Sequence, residues 1–137
     1  MPRFRTEQEV VTGNMEWLGS GHGLRNARTE ILDISAFTAA THYPDGYIPS
    51  GMPVAKVGGV LVPYDATEAT VTGAGVLAGF VLTDVPLFVT PGATAPATED
   101  QNVPLLDHGR VKVGKLPITF VGPTAAAKSA NTQFVFI

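Results

Sequence analysis

Apolar residues in this chain fall in short runs broken by glycine and proline, and none keeps the 3.6-residue period of a long amphipathic helix. Val76-Leu77-Ala78-Gly79-Phe80-Val81-Leu82 is nearly continuous and predicts a buried strand. Gly79 inside it predicts a bulge or a close backbone approach. Val54-Ala55-Lys56-Val57 and Val60-Leu61-Val62 flank Gly58-Gly59, the pattern of a tight hairpin. Ile31, Ile34 and Phe37 are three apart, an ambiguous period; the turn-rich stretch that follows favours a strand over 31–37. Val103-Pro104-Leu105-Leu106 and Arg110-Val111-Lys112-Val113 flank Asp107-His108-Gly109 and predict a second hairpin, with Lys112 on the polar side of an alternating strand. Ile118-Thr119-Phe120-Val121 and Gln133-Phe134-Val135-Phe136-Ile137 predict the last strands. Ala125 to Ala130 is the best helical stretch, one or two turns long, with Thr124 as its cap. The fold class is therefore mainly β, of the α+β kind, in one domain over residues 31–137.

Residues 1–30 differ. Val10, Val11, Met15, Trp17 and Leu18 are apolar without a period and are interspersed with Gly13, Gly19, Gly21 and Gly23. This predicts an extended N-terminal arm rather than a layer of the core. The chain's single tryptophan lies in it. Trp17 either docks on a partner, where buried tryptophan concentrates binding energy, or folds back on its own core.

Composition narrows the class. A chain of 137 residues fits one domain with a tail. Charged residues make up only 15%, well under the ~25% of ordinary soluble domains, so the surface is poor in charge and suited to meeting protein. Net charge is −3 and the basic residues are scattered, apart from Arg3, Arg5, Arg25 and Arg28, which argues against nucleic-acid binding. Without cysteine there is no disulfide or thiolate chemistry. No stretch approaches the ~18 apolar residues of a membrane helix, and the start lacks the apolar core of a signal peptide. The expectation is a protein without a membrane partner that stays where it is made.

The residues predict no enzyme, cofactor or metal site. His22, His42 and His108 lack metal-ligand spacing. Gly19-Ser20-Gly21-His22-Gly23 lacks the flanking strand and helix of a phosphate loop and reads as a linker. Asp107-His108 lacks a nucleophile elbow and reads as turn chemistry. Asp45-Gly46 and Asp65-Ala66-Thr67 also read as turns, and Glu99-Asp100 as a solvated part of the polar loop 91–100.

Several segments in order resemble the lambda-type head decoration proteins of tailed bacteriophages. They are Tyr47-Ile48-Pro49-Ser50-Gly51-Met52-Pro53-Val54-Ala55-Lys56, Val62-Pro63-Tyr64-Asp65, Gly79-Phe80-Val81-Leu82, Leu105-Leu106-Asp107-His108-Gly109-Arg110-Val111 and Lys115-Leu116-Pro117. The resemblance covers roughly residues 34–117. It implies a compact, mainly β decoration domain with a small α/β part, and a homotrimer on the local threefold axes of the expanded capsid. The partner it implies is the major capsid protein, met by the N-terminal arm through strand addition. On that reading Val10, Val11 and Thr12 supply the added strand. Trp17 and Leu18 form an apolar plug behind it, and Arg3 and Arg5 meet acidic capsid surface. The implied location is the outer capsid surface of the virion, after synthesis in the host cytoplasm. The alternatives are another virion or tail-associated β protein, a carbohydrate-binding module and, furthest off, a small hydrolase.

Overall fold

The computed structural model describes residues 15–21, 27–67, 73–87, 99–123 and 133–137. In chain order the elements are β1 (Arg28–Leu32), a short helix α1 (Ala39–His42), β2 (Tyr47–Ile48), β3 (Pro53–Val57), β4 (Val60–Pro63), β5 (Leu77–Val81), β6 (Val85–Pro86), β7 (Gln101–Leu106), β8 (His108–Val111) and β9 (Gln133–Phe136). The protein is mainly β.

Gly58 and Gly59 adopt φ of 64° and 88°, the left-handed pair that a two-residue hairpin turn needs, and they place Val57 opposite Val60. That hairpin joins a closed five-stranded barrel in the order β1-β4-β3-β5-β7. Closure comes where β1 meets β4 in parallel at Leu32 and Leu61, while its other edge runs antiparallel to β7. Closure removes the open edges that make a free sheet prone to association. A bulge interrupts the β3–β5 ladder between Val54 and Ala55: Val54 faces Gly79, but Ala55 faces Leu77. Gly79 has φ 151°, and a Cβ there would lie 2.3 Å from the Leu106 carbonyl oxygen. The predicted bulge and the predicted close approach are one feature.

Every residue of β5 is buried, because the strand is covered on both faces. On the barrel side Ala78 and Val81 join Leu32, Val54, Leu61, Val103 and Leu105, drawn from all five barrel strands. On the other side Leu77 and Phe80 pack with Trp17, Leu106, Val111 and Phe120. An apolar run without alternation is the pattern expected of a strand with no solvent face.

Four expectations change. Residues 31–37 are not one strand: β1 ends at Leu32, and Ile34–Ala36 form a 3-10 turn. The Asp33 carboxylate sets that turn by accepting bonds from the Ser35 N–H at 3.1 Å and the Ser35 hydroxyl at 2.6 Å. Asp107-His108-Gly109 does not close a hairpin. Both edges of β7 are taken, by β1 and β5, so β8 cannot fold back on it and pairs in parallel with β9 instead. Ile118–Val121 is irregular rather than a strand, whereas Gln133–Phe136 is β9 as expected. Finally, the boundary at residues 30 and 31 does not separate arm from core. β1 starts at Arg28, and Leu18 bridges to Val111 on β8. The expected helix at Ala125–Ala130 lies outside the described residues.

Candidate functional site

Residues 15–20 form a strap across the second apolar cluster. The Gly19 N–H donates to the Arg110 carbonyl at 2.8 Å, and the Lys112 N–H donates to the Trp17 carbonyl at 2.7 Å. The strap thus occupies one edge of β8 while β9 occupies the other. Gly19 is needed for fit, since a Cβ there would meet the Arg110 Cβ at 2.8 Å.

Trp17 is the centre of this arrangement, with 1% of its surface exposed. Its ring lies 5.8 Å from Phe80, and its Nε1–H donates to the Ser50 hydroxyl at 3.0 Å. Ser50 is held in turn: its hydroxyl donates to the Leu82 carbonyl at 2.7 Å, and its N–H donates to the Asp84 carboxylate at 2.8 Å. The next residue, Gly51, has φ 92° and sits against the indole, where a Cβ would lie 2.9 Å from the ring. The Pro49-Ser50-Gly51 turn is therefore shaped to receive Trp17. β2 and β6 pair beside it, and the Gly51 N–H to Val81 carbonyl bond of 2.7 Å ties it to the barrel.

The capsid-contact residues expected from sequence are placed as follows. Trp17 is part of the molecule's own core, and so is not available as an anchor on a partner; of the two sequence alternatives, folding back holds. Its apolar surface and its N–H are both satisfied internally, so exposing it would leave Ser50 and Phe80 uncovered. Leu18 is half-buried and packs on the same cluster, and is likewise a strap residue rather than a plug. Arg3, Arg5, Val10, Val11 and Thr12 lie outside the described residues. Sequence reasoning missed the partnership of Ser50 and Asp84 with Trp17. The Pro-Ser-Gly turn was visible, but nothing in the chain linked it to a residue 33 positions away.

An aromatic string runs out from Trp17. Phe80 lies 5.0 Å from Phe134 and 5.4 Å from Phe120, and Phe120 lies 5.4 Å from Phe136. Beyond it, Val121 (58% exposed) next to Phe120, and Val135, Phe136 and Ile137 (57% exposed) along and just after β9, each present apolar surface to solvent. The β9 sequence Gln133-Phe134-Val135-Phe136 carries none of the charge or proline that usually protects a sheet edge.

Polar chemistry lies elsewhere. Asp107 accepts from or pairs with His108 at 2.9 Å and is 3.4 Å from Arg28. Arg28 also approaches Glu30, which pairs with Lys56 at 3.0 Å. This ladder crosses the outside of the barrel, and partly exposed pairs of this kind contribute little each. His42 accepts the Thr38 N–H on Nδ1 at 2.8 Å, so its neutral ring carries its proton on Nε2. Burial lowers its pKa from the ordinary 6.5. Burial, and then the charge of Asp65, raise the pKa of Tyr64, whose hydroxyl donates to the Val121 carbonyl at 3.1 Å. Among the described residues, no three acidic or histidine side chains gather as a metal centre, and no helix is long and apolar enough to cross a membrane. His22 lies outside the described residues.

No family model matches the chain, and no curated protein and no solved structure matches it either.

Proposed function

We propose that this protein is a structural, non-enzymatic component of a phage virion that binds the outside of the expanded capsid as a homotrimer at local threefold sites and braces the shell. The observation that carries the reading is the strap. The turn it docks into, Pro49-Ser50-Gly51, and the strand it pairs with, β8, both belong to the segments that resemble the decoration proteins. Fixing Trp17 in the core gives the residues before Met15 a set point of departure on the barrel, as a tethered binding arm requires. The exposed side chains of Val121, Val135, Phe136 and Ile137 supply apolar surface of the kind used between subunits.

The division of labour follows. Trp17 and Leu18 anchor the arm to its own domain, and Arg3, Arg5, Val10, Val11 and Thr12 meet the major capsid protein. One arm makes a modest interface. Joining three in one trimer raises the effective concentration of the second and third contacts, so affinity for an assembled shell exceeds that for a free subunit. Binding free energy then adds to shell stability by linkage. Neither nucleic acid nor a membrane is needed for this role.

Cosedimentation with expanded capsids lacking the protein, alongside unexpanded procapsids, tests the reading. The expected result is saturable binding to expanded shells only, at roughly three copies per threefold site. Binding to neither shell, or to tails alone, overturns it. Removal of residues 1–14 should abolish binding while leaving the Trp17 environment unchanged.

A further inference from the structure

A cavity of about 270 Å³ opens beside the Ser50 turn, between α1, β2 and the 3-10 turn Val113–Lys115. It falls just under the ~300–1,000 Å³ of pockets that take drug-sized ligands, and so suits one small ring. Its wall mixes donors and acceptors. Asp45 and Asp84 bring carboxylates, Lys115 an ammonium, His42 an imidazole and Tyr47 a phenol.

Two of these groups are held in set orientations. Asp84 accepts the Ser50 N–H through Oδ1 alone, and its other oxygen has no hydrogen-bond partner among the described residues. The Thr38 bond to Nδ1 makes His42 Nε2 a donor, and Phe37 holds the ring edge-on at 5.3 Å. The Lys115 ammonium is 4.0 Å from Glu16, a loose exposed pair that leaves it able to turn inward.

This wall discriminates by charge. Two carboxylates against one ammonium disfavour an anion. Lys115 offsets one of the two carboxylates, the neutral His42 adds an N–H donor, and the polar side chains of the wall disfavour a purely apolar guest. A neutral guest offering both hydroxyl donors and oxygen acceptors can pair with the carboxylates, the ammonium and the imidazole N–H alike. We propose that this cavity binds a neutral sugar ring at the end of a glycan, with Asp84 accepting ring hydroxyls and His42 and Lys115 donating to ring oxygens. The site is separate from the arm and does not depend on capsid binding.

The test is titration of the full chain, followed by amide NMR, with methyl glucoside, methyl galactoside, methyl mannoside and methyl N-acetylglucosaminide. Concentrations should reach ~50 mM, enough to saturate a site of millimolar Kd. Saturable shifts confined to Thr41, Asp45, Tyr47, Asp84 and Lys115 are expected with at least one glycoside. Asp84→Asn and Lys115→Ala should each weaken that binding by about tenfold. Trp17 fluorescence in both variants should match the parent and show that the fold is kept. No saturation with any glycoside overturns the proposal. Saturation by acetate or methylguanidinium in their place, or binding that survives both substitutions, overturns it equally.

Discussion

The barrel and the layer outside it are built in different ways from one chain. Barrel strands β3 and β4 are joined by two glycines, and their side chains meet across a local ladder. The outer layer gathers Trp17, Phe80, Leu106, Phe120 and Phe134 from segments spread over most of the chain. Its members touch only because β5 and β7 already stand in a closed sheet and present Leu77, Phe80 and Leu106 outward. The difference teaches an order of dependence: the barrel can specify itself, whereas the outer layer needs the barrel as its template.

Trp17→Ala tests that dependence most severely. Truncating a buried tryptophan should cost about 3–5 kcal/mol. Hydrogen exchange should show the loss concentrated in the Gly19 and Lys112 amides, with β3 and β4 still protected. Equal loss in both layers would mean that they unfold as one unit. Gly79→Ala attacks the seam between them. The added Cβ meets the Leu106 carbonyl and the backbone sits at φ 151°, so a cost of about 3 kcal/mol is expected. The denaturant midpoint should fall for barrel and outer-layer probes alike, and a change confined to one would place Gly79 outside the seam.

Ser50→Ala is milder and more local. It leaves the indole N–H buried without an acceptor, a penalty of about 1–3 kcal/mol. Emission from the single tryptophan should shift or weaken while β3–β4 amide protection changes little; unchanged emission would show that the bond does not hold Trp17. The smallest effect is the pH response of His42, at the end of α1. Burial lowers its folded pKa below 6.5, so the unfolded chain takes up the proton first as pH falls. Stability is full above about 6.5 and declines as pH drops through the folded value. Thermal melts from pH 7 to 5 should show this decline reduced in His42→Asn, which keeps an acceptor for the Thr38 N–H. An identical decline in the variant would assign it to other groups.

Much of the barrel was legible because its rules are local. Gly58-Gly59 demanded a tight turn, Gly79 a bulge, and the unbroken apolar run of β5 a strand with no wet face. Turn chemistry at Asp65 was legible too: its carboxylate accepts the Thr67 N–H at 3.0 Å. The Ile31–Phe37 reading failed because a spacing of three carries no strand signal, and Asp33 ended the strand through a side-chain bond. The Asp107 hairpin failed for a non-local reason. Its local turn residues were suitable, but the edges of β7 were already occupied by strands far away in sequence. The candidate site was the least legible part, because Trp17, Ser50 and Asp84 come from three separate segments.

By itself the sequence determined the mainly β class, the β3–β4 hairpin and the buried β5, since each follows from backbone freedom or side-chain burial within a few residues. Only the tertiary structure decided that the barrel closes through β1, that β8 leaves it to pair with β9, and that Trp17 belongs to the core rather than to a free arm. Those outcomes depend on which edges and which apolar faces remain uncovered once the rest of the chain is in place, and no local pattern carries that information.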